Sequence, residues 1–182
     1  MNSVPEISIL VGSIREDSYS LKIAAILATL LQKSGYEVQI VDPRIEKPCI
    51  PHHPDAANHS SSFAKEFQAR IKKSAGVIFI TPEYDGSYSA VAKVLIEYLG
   101  YPSALAGSLV SVIGVASGRI GAHRAIDHLR SVLLHIGAVV LPGQLSLAEV
   151  HKHFTDDGRP NPQLDETLSK HVTDFVSFLP SV

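Results

Sequence analysis

The chain has 182 residues, of which 45% are hydrophobic and 19% are charged, as in a globular protein large enough to bury a core without disulfides or metals. Its formal net charge of -2 gives no reason to expect nucleic acid or an anionic membrane as a partner, and a single cysteine excludes an internal disulfide framework. No apolar run is long enough to cross a membrane, and residues 1–6 lack the basic and apolar regions of a signal peptide. The sequence therefore predicts one domain over residues 1–182, located in the cytosol.

The first strand, loop and helix have the pattern of an anion-binding site. Ile7–Gly12 is short, apolar and β-branched, which predicts a buried strand, and apolar residues at helical spacing predict a helix over Leu21–Leu31. The polar loop between them, Ser13–Ser20, ends at a helix N-terminus, where free backbone N–H groups and the helix dipole favour a phosphate. Hydroxyl and guanidinium donors strengthen this prediction. They belong to Ser13, Arg15, Ser18 and Ser20.

This loop also has a simpler interpretation, in which a serine only caps the helix and Arg15 is solvated. Glu16 and Asp17 disfavour a phosphate unless they point outward. The loop is not a dinucleotide fingerprint, because no second and third glycine follow Gly12, and it is not a P-loop, because the closing Gly-Lys-Ser/Thr is absent. What remains is a Ser/Arg loop suited to one terminal monophosphate.

A second strand and a long loop come next. Glu37–Asp42 alternates apolar and polar residues, which predicts a strand near a sheet edge. Residues 43–61 contain four prolines and are predicted to be irregular, and a loop of this length is usually functional or mobile. Its three histidines suggest a metal site at first sight, but no second ligand cluster supports one, so solvated loop histidines are favoured. These are His52, His53 and His59.

The rest of the chain alternates between helix and strand. Helices are predicted over Phe63–Lys73, Ala90–Leu99, His123–Ile136 and Leu164–Leu179, and strands over Gly76–Ile80, Leu109–Val115 and Ala138–Leu141, while Thr81–Ser89 is a loop and Leu145–Phe154 is less regular. Five alternations of strand and helix predict a doubly wound parallel sheet. Ligands of such sheets bind beyond the carboxyl ends of the strands. The polar loops after strands one, three and four should therefore share one rim.

These three loops carry a resemblance to a known family. Their residues are Gly12-Ser13-Ile14-Arg15 with Ser18 and Ser20, Pro82-Glu83-Tyr84-Asp85-Gly86-Ser87, and Ser117-Gly118-Arg119-Ile120-Gly121. The first resembles the Gly-Ser-x-Arg phosphate loop of the NADPH-dependent FMN reductase family of flavodoxin-like proteins, which includes quinone, azo-dye and chromate reductases. The second is similar to the family's Pro-Glu-Tyr-Asn-Gly-Ser loop beside the flavin ring, and the third stands where the family has a glycine-rich loop near the pyrimidine side. The resemblance covers roughly residues 5–142.

The resemblance implies a doubly wound flavodoxin-like α/β fold, with a five-stranded parallel sheet in the order 2-1-3-4-5 and helices on both faces. It implies an enzyme that transfers a hydride from NADPH or NADH through bound FMN to a quinone, a flavin or a similar small-molecule acceptor. No side chain is expected to be catalytic, because the flavin carries the chemistry. A homodimer or homotetramer is also implied, with the helices after strands three and four as dimer surfaces, although core packing explains their apolar residues equally well.

The resemblance also implies a role for individual residues. Ser13, Arg15, Ser18 and Ser20 would bind the FMN phosphate, Pro82, Glu83, Tyr84, Asp85 and Gly86 the ring side, and Ser117, Gly118 and Gly121 the pyrimidine side, with Tyr84 and Arg119 also facing the substrate. Alternatives stay open for three of them. Tyr84 could pack on its own helix, Glu83 could cap a backbone turn, and Arg119 could lie in solvent instead of pairing with the NADPH 2′-phosphate.

The chain departs from the family pattern on the ring side. Asp85 stands where an asparagine is usual, so only its backbone N–H, and not its ionised side chain, can donate to a flavin carbonyl. Ala90 replaces a proline, and Tyr98 replaces a tryptophan. A flavodoxin-type electron carrier remains the alternative function, although such carriers are usually strongly acidic and this chain is near neutral. A response-regulator-like switch is disfavoured, because strand one does not end in acidic residues.

Overall fold

Strands and helices alternate along the chain in the computed structural model, which describes residues 4–48 and 62–179. The elements are β1 (Glu6–Val11), α1 (Tyr19–Lys33), β2 (Glu37–Val41), α2 (Pro43–Glu46), α3 (Ser62–Lys73), β3 (Gly76–Tyr84), β4 (Ser87–Tyr88), α4 (Ala90–Tyr98), β5 (Leu109–Val115), α5 (His123–His135), β6 (Val139–Val140), β7 (Leu145–Leu147), a 3-10 helix (Val150–His153) and α6 (Pro162–Ser177). In these two ranges no helix combines the length and the apolar character that a membrane crossing needs. The three histidines considered for a metal site, His52, His53 and His59, lie outside the described residues.

Five parallel strands form the sheet in the order β2-β1-β3-β5-β6. This confirms the predicted order 2-1-3-4-5, because the predicted fourth and fifth strands are β5 and β6. In register, Ile9 of β1 lies opposite Ile40 of β2 and Ile78 of β3. The chain leaves β1 towards β2 on one side and returns to β3 on the other, so the switch point lies between β1 and β3.

The prediction of a loop over Thr81–Ser89 is wrong near both ends, where the structure has strands. Thr81–Tyr84 continues β3, with Pro82 paired to Val115 of β5, and the short strand β4 then pairs antiparallel with the end of β3. The cause is the dipeptide Asp85-Gly86, whose φ angles of 51° and 75° are both left-handed. Two left-handed central residues are what a tight two-residue hairpin turn requires, and Asp-Gly is a favoured pair there.

Two segments predicted to be irregular are partly ordered. Pro43–Glu46 forms α2, a single turn with proline at its start and Asp42 as its N-cap. Leu145–Leu147 forms β7, which pairs parallel with the end of β5 beyond the short strand β6. β6 pairs with β5 only as far as Val110. The N–H and C=O groups of β5 beyond that residue would lack partners without β7, which explains this pairing.

Helices cover both faces of the sheet. α1 and α6 pack on one face, against side chains that include Ile78 and Ile80, while α3, α4 and α5 pack on the other, against Val77 and Phe79. All four of these β3 side chains are fully buried. A continuous apolar run of this kind is typical of a central parallel strand covered on both sides. The packing leaves the carboxyl ends of the strands as the open edge.

A buried polar pair lies between the sheet and α6. Ser111 of β5 and His171 of α6 are 2% and 7% exposed, and the Ser111 Oγ lies 2.8 Å from the His171 Nε2. Burial lowers the pKa of His171 to about 4, although the nearby charge of Asp174 acts in the opposite direction. The imidazole is therefore neutral at pH 7 and shares a hydrogen bond with the serine hydroxyl.

Candidate active site

A cleft of about 520 Å³, which includes the open space at its mouth, lies beyond the carboxyl ends of β1, β3 and β5. Its lining residues are Ser13, Arg15, Asp17, Ser18, Tyr19, Ser20, Pro82, Glu83, Tyr84, Val115, Ala116, Ser117 and Val150. They come from the loop after β1 and the start of α1, from the end of β3, from the end of β5 and the loop after it, and from the 3-10 helix. The three polar loops therefore share one rim, as the predicted strand order requires.

Most of the predicted site residues line this cleft. Those that do are Ser13, Arg15, Ser18, Ser20, Pro82, Glu83, Tyr84 and Ser117. The predicted residues outside the lining lie in the hairpin turn, Asp85 and Gly86, and in the third loop, Gly118, Arg119 and Gly121. Asp17, Tyr19, Val115, Ala116 and Val150 line the cleft without having been predicted.

The loop after β1 presents hydrogen-bond donors that have no acceptor. Within residues 4–48 and 62–179, nothing accepts from the backbone N–H groups of Ile14, Glu16 and Asp17, and the first two residues of α1, Tyr19 and Ser20, also have free N–H groups. Ser20 is 2% exposed, and its hydroxyl also lacks a partner in the described part of the chain. Because the loop keeps these donors at one end of the cleft, its geometry fits a phosphate.

The serines at either end of this loop, hereafter called the phosphate loop (residues 13–20), leave their hydroxyl protons available. The Oγ of Ser13 accepts from the backbone N–H of Arg15, and the Oγ of Ser18 accepts from that of Leu21, each at 3.4 Å. Ser13 and Ser18 are both buried. A hydroxyl that only accepts can still donate its proton, so both side chains can bind a phosphate oxygen while they shape the loop.

The charged residues of the phosphate loop are all exposed. Arg15 makes no ion pair with any described residue, which leaves its guanidinium free for an anion. The prediction required Glu16 and Asp17 to point away from a phosphate. Glu16 does not line the cleft, whereas Asp17 does, so its charge opposes a bound anion and only solvent at the mouth screens it.

Gly12 couples the phosphate loop to the hairpin that follows β3. Its N–H donates to the carbonyl of Ile80 at 2.8 Å, and its carbonyl accepts from the Ser89 Oγ at 2.5 Å. The same Oγ accepts from the backbone N–H of Ala92 at 3.0 Å and so caps α4. A Cβ on residue 12 would lie 3.0 Å from the Ile80 carbonyl oxygen and 3.1 Å from the Ala92 Cβ. Glycine therefore permits the close approach of the end of β1 to β3 and to the start of α4.

Glu83 lines the cleft and also caps a helix. Its Oε2 accepts from the backbone N–H of Ala125 at 3.2 Å, and its Oε1 lies 3.9 Å from the Arg124 Nη1. The N-cap residue of α5, Ala122, has no side-chain oxygen, so Glu83 supplies the missing acceptor from another element. Glu83 therefore caps the N-terminus of α5 instead of a backbone turn, and the cap holds this side chain at the wall of the cleft.

Removal of this cap should destabilise the fold. We expect Glu83→Ala to lower the free energy of unfolding by about 1 kcal/mol, because it removes both the acceptor and a negative charge from a helix N-terminus. Glu83→Gln should cost less, since an amide oxygen can still accept from Ala125. Urea denaturation of both variants, with Asp174→Ala as an exposed acidic control, measures the difference. An equal loss in Glu83→Ala and Asp174→Ala would contradict the capping role.

The loop after β5 is held by the end of β7 and by the segment that follows it. The N–H of Ala116 donates to the Leu147 carbonyl at 2.9 Å, the N–H of Val150 donates to the Ala116 carbonyl at 3.0 Å, and the N–H of Glu149 donates to the Gly118 carbonyl at 3.1 Å. These bonds bring Val150 into the cleft. No described residue accepts from the N–H groups of Ser117 and Gly118, which are left free to bind a carbonyl oxygen of a ligand.

One large apolar side chain is exposed in the loop after β1, one at the end of β3 and one in the loop after β5. Ile14, Tyr84 and Ile120 are 59%, 40% and 72% exposed. Tyr84 ends β3 and lines the cleft, so the alternative in which it packs away on its own helix is not what the structure shows. Exposed apolar groups around a polar cleft are typical of a ligand-binding site.

Comparison with known proteins identifies the family. Residues 5–152 match the family described as NADPH-dependent FMN reductase. The chain belongs to this family. It is 29% identical to the NADPH-dependent FMN reductase ArsH of Rhizobium meliloti over 87% of this chain, and it spans 65% of the length of that relative. It is also 29% identical to a quinone reductase of Pseudomonas putida, over 98% of this chain and 97% of that protein.

Solved structures agree with this assignment. FerB from Paracoccus denitrificans, a flavoenzyme NAD(P)H:(acceptor) oxidoreductase, is 28% identical, with a TM-score of 0.81 over 96% of this chain and 97% of that one. Oxidised flavodoxin 1 from Bacillus cereus is 15% identical, with a TM-score of 0.64 over 98% of this chain and 100% of that one, and shows the fold alone. The fold is therefore flavodoxin-like, and the NADPH-dependent FMN reductase family is one of oxidoreductases that use FMN and NADPH.

Proposed function

We propose that the cleft binds FMN and that the protein transfers a hydride from NADPH or NADH through the flavin to a quinone, a flavin or a similar small-molecule acceptor. One observation carries this proposal: the phosphate loop collects backbone N–H groups without acceptors and the unpartnered Ser20 hydroxyl at one end of a cleft. A terminal phosphate matches this donor set. The free N–H groups of Ser117 and Gly118, on the loop after β5, match carbonyl groups of a flavin ring.

The chemistry supplied by FMN, when it is bound, is the acceptance of a hydride from nicotinamide and the delivery of two electrons to a second substrate. The residues of the chain bind and orient the flavin. In the proposed arrangement Ser13, Arg15, Ser18 and Ser20 hold the phosphate, Pro82–Gly86 forms the ring-side wall, and Ser117, Gly118 and Gly121 lie on the pyrimidine side. Asp85 occupies a left-handed position of the hairpin turn, and its backbone N–H can donate to a flavin carbonyl from the ring side.

The rim supports an apolar, planar acceptor. Ile14, Tyr84 and Ile120 expose large apolar surfaces at the three loops, and aromatic or aliphatic contacts favour a ring such as a quinone over a metal oxyanion. The name quinone reductase belongs to the Pseudomonas putida relative, and we extend it to this chain as part of the proposal.

Arg119 is proposed to select NADPH. It is exposed, and it has no ion pair or hydrogen bond from its side chain to any residue that the structure describes. If its guanidinium pairs with the 2′-phosphate, Arg119→Ala should raise the KM for NADPH about tenfold and leave the KM for NADH unchanged, because only NADPH carries that group. Arg159→Ala, another exposed arginine, is the control. Equal changes in both KM values would contradict this role.

Anaerobic flavin spectroscopy tests the proposed activity. The protein loaded with FMN should lose its flavin absorbance when NADPH is added and regain it when benzoquinone follows. Loss of colour with a chemical reductant but not with NADPH or NADH would instead identify a flavodoxin-type electron carrier and overturn the enzyme proposal. Failure to bind FMN at all would overturn the cofactor site.

We also propose that residues 1–182 form one FMN-binding domain, that it assembles as a homodimer or homotetramer, and that it acts in the cytosol, where NADPH is available. The helices expected at the interface are α4 and α5. Their largest apolar side chains lie in the chain's own core, but Leu134 of α5 and Tyr101 beyond α4 are 54% and 87% exposed. Light scattering after gel filtration tests the assembly, and a monomer would contradict it.

A further inference from the structure

Arg44 joins α2 to the phosphate loop. Its Nε and Nη2 donate to the Asp42 carboxylate at 3.0 and 2.6 Å, and its Nη1 donates to the main-chain carbonyl of Glu16 at 3.1 Å. Glu16 lies 28 residues earlier in the chain, in the middle of the phosphate loop. One guanidinium therefore bridges the end of β2 and the loop that follows β1.

The Arg44 side chain is held in one orientation. Asp42 is 5% exposed, and its Oδ1 also accepts from the backbone N–H of Arg44 at 3.0 Å, which makes it the N-cap of α2. A carboxylate bound by both the backbone and the planar fork of the same arginine leaves the guanidinium little freedom. The hydrogen bonds from Arg44 lower the pKa of Asp42, so this carboxylate stays ionised at neutral pH.

Few other contacts restrain the middle of the phosphate loop. From Ile14 to Asp17, the bond from Arg44 to Glu16 is the one hydrogen bond that reaches the loop from another element, among the residues that the structure describes. The other bond in this stretch joins Arg15 to Ser13 within the loop, at 3.4 Å. The direction of the free N–H groups on either side of Glu16 therefore depends on how firmly this carbonyl is held.

We propose that Arg44 is a positioning residue for the FMN phosphate. It does not line the cleft, so it acts through the Glu16 carbonyl, whose position orients the neighbouring N–H groups towards the anion. Its positive charge also interacts with the Glu16 carboxylate, which belongs to the same loop but lies outside the cleft lining. This inference rests on the proposed function, because it takes FMN as the ligand of the cleft.

Comparison of two flavins isolates this role, since riboflavin lacks the phosphate that FMN carries. Quenching of flavin fluorescence gives the Kd of each flavin for the wild type and for Arg44→Gln. We expect Arg44→Gln to weaken FMN about tenfold and riboflavin less than about twofold, because the loss falls on donors to the phosphate. Should that variant fold poorly, Arg44→Lys keeps the charge without the fork and should lose part of the FMN preference.

Arg70 provides a matched control. It forms a two-bond ion pair with Glu46 of the same α2 turn, at 2.9 and 2.6 Å, and its side chain is 29% exposed, as is that of Arg44. Arg70→Gln removes an equivalent ion pair without touching the phosphate loop, so both flavin affinities should stay within about twofold of the wild type.

The outcomes separate this inference from the proposed function. If the wild type binds FMN no more tightly than riboflavin, the phosphate site itself is wrong, and the inference falls with it. If the wild type prefers FMN and Arg44→Gln keeps that preference, the inference alone is overturned. A loss of both flavins to the same extent in Arg44→Gln would likewise overturn it, since that result indicates a general structural effect.

Discussion

Arg15→Ala is expected to weaken FMN binding by about 1.5–3 kcal/mol, the contribution of a hydrogen bond to a charged group. Arg15 lines the cleft, is exposed, and has no ion-pair partner in the described ranges, so its guanidinium is free to bind the phosphate at the phosphate loop. Without Arg15, Asp17 is the one charged residue of the phosphate loop that lines the cleft, and its negative charge repels an anion.

Isothermal titration with FMN measures this loss directly. Arg159→Ala is the matched control, because Arg159 is also an exposed arginine but does not line the cleft. Riboflavin affinity should change little in either variant. An Arg15→Ala protein that binds FMN as tightly as the wild type would remove Arg15 from the site.

Stability should fall steeply as the pH falls from about 6.5 to about 4. The pKa of His171 is about 4 in the folded state because of burial, against an ordinary value of 6.5, so the unfolded chain binds more protons in this window. The contribution of His171 is fully present above the unfolded pKa and is lost on the way down to the folded pKa. The loss amounts to at most about 3.5 kcal/mol, since each unit of difference between the two pKa values corresponds to about 1.4 kcal/mol.

The free energy of unfolding is measured against pH for the wild type and for variants. The difference between their slopes separates the effect of His171 from that of carboxylates that titrate in the same pH range. His171→Gln keeps a group that can pair with Ser111 but does not titrate, so its curve should be flatter than that of the wild type between pH 6.5 and pH 4. His135→Gln, which changes an exposed histidine of α5, should follow the wild-type curve. Parallel curves for the wild type and His171→Gln would contradict a buried neutral imidazole.

Much of the fold follows from local sequence pattern. The run Val77–Ile80 is apolar without alternation because helices cover both faces of β3, and such a run predicts a central parallel strand from sequence alone. The observed helix bounds are close to the predicted ones, because the apolar residues follow helical spacing. α3 begins at Ser62 and ends at Lys73, and the sequence predicts Phe63–Lys73. Local periodicity determines these elements, and the alternation of strand and helix then determines the strand order.

The hairpin after β3 replaces a predicted loop, although the sequence contains a dipeptide that favours a hairpin turn. Asp85-Gly86 is a favoured pair for a two-residue turn, whereas the family resemblance marks Asp85 only as a departure from the usual asparagine. Its φ of 51° now explains the residue type, since asparagine and aspartate both tolerate the left-handed region. The aspartate at position 85 therefore matters for the turn as well as for contacts to the flavin ring.

Other parts of the site depend on contacts that no local pattern carries. Val150 reaches the cleft because backbone bonds tie its segment to the loop after β5, and Arg44 reaches Glu16 across 28 residues. Glu83 caps α5, an element that begins 40 residues later in the chain. Such pairs become visible only when the fold brings distant segments together, whereas the serine and arginine donors of the phosphate loop were visible in the sequence.

A crystal structure of the protein with FMN tests the central claim most directly. We expect the phosphate within hydrogen-bond distance of the backbone N–H groups of the phosphate loop and of the Ser20 hydroxyl, with the ring between Tyr84 and Ser117. Density for the phosphate at that loop would establish the cofactor site. FMN bound elsewhere, or with its phosphate turned away from residues 13–20, would contradict the account.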